Sequence, residues 1–307
     1  MEAVFASRND ALTSANIVVL AYWYGDLVQA LPLFKVEVEH ALAKGQLARA
    51  ARTEALVVFC EVGLGRLDEA RDTMERTETL AARLGMPVPT ILQAKEILAA
   101  ATDEGLEELL AAVAPLTARV IPALAWLQGS FYAWSARIAA RLGQPDESLR
   151  CLGLLVPWLE RAPAWALGWP MITSHAAEAL WVMERHDHLE LIEATVREKV
   201  VAPDFRNPMV DGRLTLARLC ALTGRQDEAV SWFAKAREVL TEQGAGPLLA
   251  IADYDEALMY SRGNEPGDAE AAQTLLQPAR AQFEAIGMNG WIRRADELAA
   301  QLKERLG

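Results

Sequence analysis

Residues Leu216–Ala236 read LARLCALTGRQDEAVSWFAKA, two apolar runs at helical spacing with a glycine between them. Gly224 ends the first run, because glycine takes a left-handed backbone at little steric cost. Asp227 and Glu228 then open the second, where the exposed amides of a helix start favour negative charge. Ala217, Ala229 and Ala236 are small enough to let two antiparallel helices approach closely, and Phe233 fills the space that opens farther along. The stretch is one helical hairpin.

The same punctuation recurs along the chain. Turns of this kind fall at Gly25-Asp26, Gly65–Glu69, Asp103–Gly105, Gly143–Glu147, Glu184–His188, Gly224–Glu228 and Gly263, spaced 38–41 residues apart. A second set of breaks lies between hairpins, at Gly45, Gly85–Pro87, Val120–Pro122, Arg161–Pro163, Ala202-Pro203 and Gly244–Pro247. Intervals this even are the mark of a repeat array. They divide a single domain, 1–307, into seven hairpin units of about 9–45, 46–85, 86–121, 122–162, 163–203, 204–245 and 246–287, with a cap over 288–307. In the last unit Asn264–Asp268 lengthens the turn, and Pro278 is expected to kink or restart the second helix. The cap, with its apolar seam and charged outer face, has the character of a terminal repeat.

Composition points the same way. Apolar residues make up 52% of the 307, and Ala, Leu, Glu and Arg dominate, which favours helix. The balance of 30 Lys+Arg against 42 Asp+Glu leaves a formal charge of −12. Such a surface repels a phosphate backbone, so no direct nucleic-acid binding is expected. Cys60, Cys151 and Cys220 stand singly in helical stretches and read as buried thiols of a reducing compartment. The start, MEAVFASRND, lacks a signal-peptide pattern. The apolar run Ile17–Tyr24 is far short of the ~20 residues a membrane helix needs. The expectation is a cytoplasmic chain without membrane contact.

The small–turn–small–large–small offsets of Ala217, Gly224, Ala229, Phe233 and Ala236 resemble those of a tetratricopeptide (TPR) unit, although the period exceeds that family's length of about 34 residues. The string Leu275–Leu298, LLQPARAQFEAIGMNGWIRRADEL, and the turns of GRxDEA type resemble the closing segment of the helical-repeat region in bacterial STAND-type signal-transduction ATPases. That group includes LuxR-type transcriptional activators and ATPases coupled to adenylate cyclases. The resemblance implies an all-α, right-handed superhelical solenoid of about seven TPR-like hairpins serving as a sensor or protein-binding module. The nucleotide-binding and output domains that normally accompany such a module have no motif here: no G-x-x-x-x-G-K-[ST] loop and no basic helix-turn-helix are present.

No arrangement of residues reads as a catalytic or metal centre, and no cofactor is expected. Gly63-Leu64-Gly65 follows a helical run rather than a strand and falls on the repeat period, so it reads as a turn rather than a phosphate cradle. His186-Asp187-His188 lies in a turn with no fourth ligand for zinc; there Asp187 is expected to cap the next helix. His175 and His40 lack a Ser or Cys in a strained turn beside them. The acid pairs Glu107-Glu108 and Asp68-Glu69 sit at helix starts, where they serve as caps or solvated faces.

Two features point to binding. Six of nine tryptophans lie between 126 and 181. Most are expected to pack between helices, whereas Trp165 and Trp169, in an inter-unit loop and at a helix start, have fewer packing demands and are the better candidates for ligand contact. In a TPR solenoid the concave wall comes from one stripe of each unit's first helix. Counting back from each turn places Arg137 and Arg141 there in the fourth unit, Ser174, Glu178 and Trp181 in the fifth, Asp211 and Arg218 in the sixth, and Asp253 in the seventh. Arg137, Glu178 and Arg218 share one register, so they can hold a peptide's termini or pair with one another. The expected activity is non-enzymatic: a protein- or peptide-binding scaffold or sensor module of a bacterial signalling or transcription-regulating protein. The alternative is a small-molecule inducer sensor with a Trp-lined pocket. Either leaves room for a homodimer.

Overall fold

A computed structural model describes residues 17–18, 21, 24–85, 89–119, 127–161, 168–207, 209–263 and 265–306. They are all-helical, with fourteen α-helices and no strand among them. In chain order these are α1 Leu27–Ala43, α2 Leu47–Gly63, α3 Leu67–Leu84, α4 Pro89–Thr102, α5 Leu106–Ala118, α6 Gln128–Arg141 and α7 Pro145–Arg161. There follow α8 Trp169–Met183, α9 Leu189–Val196, α10 Gly212–Leu222, α11 Gln226–Gln243, α12 Gly246–Arg262, α13 Asp268–Ile286 and α14 Asn289–Leu306. Trp126, Trp165, and the breaks expected at Met86-Pro87, Val120–Pro122 and Ala162-Pro163 lie outside the described residues.

The turns explain the regularity. Gly224 has φ +72°, its N–H donates to Ala221 O, and the next N–H, of Arg225, donates to Cys220 O. That pair of bonds satisfies carbonyls a helix end leaves open. The same pair closes α2 at Gly65 and Arg66 and α6 at Gly143 and Gln144. After α8 the left-handed positions fall to Glu184 and His188. Asp26 caps α1 by accepting from Gln29 N at 3.0 Å. Asp187 does not cap α9: it pairs with Arg185 at 2.8 Å, and the N-cap is His188. Nor does Pro278 interrupt α13, which runs unbroken through it. Pro278 is exposed, so the carbonyl it leaves without a helix partner is open to water. After α9 the backbone widens into a single π turn, Arg197–Val201.

Along the inside α2 packs on α4, α6 on α8, α8 on α10 and α10 on α12, and the buried Glu96–Arg137 pair joins α4 to α6, while the odd-numbered helices mainly contact their sequence neighbours. Ala217, Ala229, Phe233 and Ala236 are fully buried at one such contact. The chain then turns back on itself. α12 touches α2, and α14 touches α4. Trp291 Nε1 donates to Ala100 O at 3.2 Å, and Arg294 pairs with Asp103 and donates to Arg141 O at 3.2 Å. Gly290 meets the α4 end so closely that a Cβ there would stand 2.5 Å from the carbonyl oxygens of Thr102 and Asp103. The result is a closed arrangement with the inner faces of α4, α6, α8, α10 and α12 directed at one another.

Candidate functional site

Five charged residues, one from each inner helix, form a ladder of alternating sign. Glu96 on α4, Arg137 on α6, Glu178 on α8, Arg218 on α10 and Asp255 on α12 succeed one another at close to the repeat spacing. Arg137 donates to Glu96 Oε1 through Nε at 3.1 Å and one terminal nitrogen at 2.8 Å, and its other terminal nitrogen lies 3.8 Å from Glu178. Arg218 lies 3.4 Å from Glu178 Oε2 and donates to Asp255 Oδ2 at 2.8 and 2.6 Å. Arg141, one turn along from Arg137, adds two bonds to Glu178 Oε1 at 2.9 and 2.7 Å and stacks over Trp291, 4.3 Å from the ring centre. Trp181 Nε1 donates to the remaining oxygen of Asp255 at 2.9 Å. All these side chains are buried; Arg137 is 1% exposed. Three guanidiniums balance three carboxylates.

Desolvation is the largest influence on the Glu178 and Glu96 carboxyls and acts to raise their pKa values. For Glu178 the combined pull of Arg141, Arg218 and Arg137 overcomes it and holds the carboxyl far below its ordinary 4.5. For Glu96, His175 and Arg137 do the same. A carboxyl depressed in the folded chain contributes stability that is complete above its unfolded value and is lost as pH falls through its folded one. Asp211, pushed up chiefly by burial, works in the opposite direction. Denaturant midpoints are therefore expected to fall between about pH 6 and about pH 3 more steeply in the native chain than in Glu178→Gln. Equal slopes would contradict the assignment.

The expected binding residues divide clearly. Arg137, Arg141, Glu178, Trp181 and Arg218 meet in the ladder, so of the two options open to this register, mutual pairing is the one observed. Ser174 also faces the interior, its hydroxyl 2.6 Å from that of Thr215. Asp211 is the N-cap of α10, accepting from Arg213 N and Leu214 N, and pairs with the Arg213 guanidinium at 2.9 Å. Asp253 lies away from the ladder, paired with Arg237 at 2.5 Å; Asp255, two residues on, takes the inner position. Trp169 is 1% exposed and packs edge-on against Trp158, so its expected freedom for a ligand is lost to the core. Trp165 lies outside the described residues. Glu96 and Asp255 were missed, although stepping one repeat back from Arg137 leads to Glu96.

His175, on the same helix as Glu178, has Nε2 3.4 Å from Glu96 Oε2, and neither ring nitrogen makes a well-formed hydrogen bond. Beside it lies a cavity of about 40 Å³, lined by Ser174, Thr215, Arg218, Leu214 and Trp291 among others. That is room for about three water molecules. A larger, polar cleft of about 430 Å³ opens where α14 closes on the α4–α5 turn.

The cysteines are buried and free. Burial pushes Cys151 up to about 12 and Cys220 up to about 11, which makes both poor nucleophiles. Cys220 Sγ stands with Glu193 and Glu228 in the one grouping of potential metal ligands among the described residues. Arg197 and Arg225 already neutralise both carboxylates, at 2.6–3.0 Å. That leaves a thiol and two committed acids, a poor donor set for a cation.

No protein-family model matches the chain, and no curated protein shows significant similarity to it. Among the described residues no helix is long and apolar enough to cross a membrane.

Proposed function

We propose that this chain is a non-enzymatic sensor module of a cytoplasmic bacterial signalling or transcription-regulating system, built as a right-handed TPR-like solenoid of about seven hairpins. The observation that carries the reading is the closure. Apolar packing around Trp291 shuts the array, and at its edge the Arg294–Asp103 pair borders an open polar cleft that a ligand can enter. A small ligand that binds the closed and open forms unequally shifts the balance between them. Small rotations between units then add into a change of shape that an attached domain or partner can read. The interior pairing of the inner stripe favours this small-molecule reading over a peptide laid along an open groove.

The expected outcome is a saturable change in tryptophan fluorescence on titration with one member of a metabolite panel, because Trp181 and Trp291 both border the closure. Silence toward every small molecule would count against the sensor. A protein-binding role has its own support in Tyr24, Val28, Val36, Leu42 and Leu47, exposed apolar side chains on and beside α1 and at the start of α2. If the exposed residues of α1 bind a second copy, Val28→Glu with Val36→Glu abolishes self-association in sedimentation equilibrium; a native chain that is monomeric at all concentrations excludes the dimer.

A further inference from the structure

We infer that the cleft at the closing seam is a site for a small zwitterion, of which a free α-amino acid is the simplest. This rests on the sensor reading and gives it a ligand class. The cleft is walled by the α4–α5 turn at Asp103–Glu107, by the end of α6 at Arg141 and by the start of α14 at Gly290, Arg293, Arg294 and Glu297. Its volume of about 430 Å³ falls within the range of small-ligand pockets, about 300–1,000 Å³.

Both signs of charge line it, and on each side something is unused. Arg141 is engaged with Glu178, and Arg294 with Asp103. Arg293 is not so committed: its side chain is 61% exposed and stands 3.7 Å from Glu104. Beside it α5 begins at Gly105, which offers no side chain to cap the first amides of that helix. Uncapped amides and a loosely held guanidinium suit a carboxylate. On the acidic side, Glu107 and Glu297 are exposed and have no ion-pair partner among the described residues. Asp103 is buried, with Oδ2 taken by Arg294 and Oδ1 without a hydrogen-bond partner. These suit an ammonium. A simple anion would meet four carboxylates and a simple cation three guanidiniums, whereas a molecule carrying both charges answers both sets. Bound there, it would bridge the α4–α5 turn to α14 and so tighten the closure.

The test is calorimetric titration of the full chain with each of the common L-α-amino acids, followed by the N-acetyl and the carboxamide derivatives of the tightest. We expect saturable binding of the free amino acid and at least tenfold weaker binding of each derivative. Arg293→Ala and Glu107→Gln, both at exposed positions, should each weaken binding about tenfold while leaving the unfolding midpoint unchanged. Equal binding of either derivative, or an affinity indifferent to both substitutions, would overturn the site. So would failure of every amino acid to bind. If some other metabolite still moves the tryptophan fluorescence, the seam site falls and the sensor reading stands.

Discussion

Replacing Glu178 with alanine is expected to destabilise the chain by about 3–5 kcal/mol, the cost of breaking a buried ion pair by removing one partner. Glu178 is the middle rung of the ladder. It accepts two bonds from Arg141, lies 3.4 Å from Arg218 and 3.8 Å from Arg137. Removing its carboxylate leaves a net positive charge in a buried site, and the guanidiniums that remain cannot neutralise themselves by losing a proton. The unfolding midpoint should fall by roughly 5–10 °C. Asp187→Ala supplies the contrast. It breaks an exposed pair with Arg185 and should leave the unfolding midpoint nearly unchanged. Similar losses for the two variants would show that the inner pairs are as solvated as the outer one.

The second large effect is expected at Trp291. This ring is 1% exposed, stacks on Phe283 with centroids 5.7 Å apart, meets Tyr254 edge-on at 5.5 Å and carries Arg141 over its face. Its indole nitrogen also holds Ala100 O, far away in sequence. Trp291→Ala should cost about 3–5 kcal/mol for the lost packing and the cavity left behind. Because the lost contacts span the closure, the variant should also expand, with an increased radius of gyration in native buffer. A variant that loses stability but keeps the native radius would place Trp291 in the core of its own hairpin and not in the closure.

Much of the helical framework was legible in the sequence because its punctuation is chemical. Gly65, Gly143 and Gly224 stand where the backbone must turn left-handed, and Ala217 and Ala229 stand where helices meet. The ladder was half legible. Arg137, Glu178 and Arg218 fall in one register and came out by counting from the turns. Counting failed at the last unit, where Asp255 and not Asp253 takes the inner position. Glu96 carried no distinctive pattern of its own among the residues around it. The closure was not legible, because it brings α12 to α2 and α14 to α4, elements far apart in the chain that share no local motif. Trp169 misled for a related reason: a residue at the start of a helix looks free until the neighbouring hairpin, with Trp158, is laid over it.

Small-angle X-ray scattering of the unmodified chain, at a dilution where it is monomeric, tests the closure most directly. A compact chain of this length has a radius of gyration of about 19 Å. The closed arrangement, with Trp291 against Ala100 and the charge ladder sealed inside, predicts a value within a few ångströms of that. A profile requiring an elongated open spiral, with the inner helices exposed along its length, would contradict it.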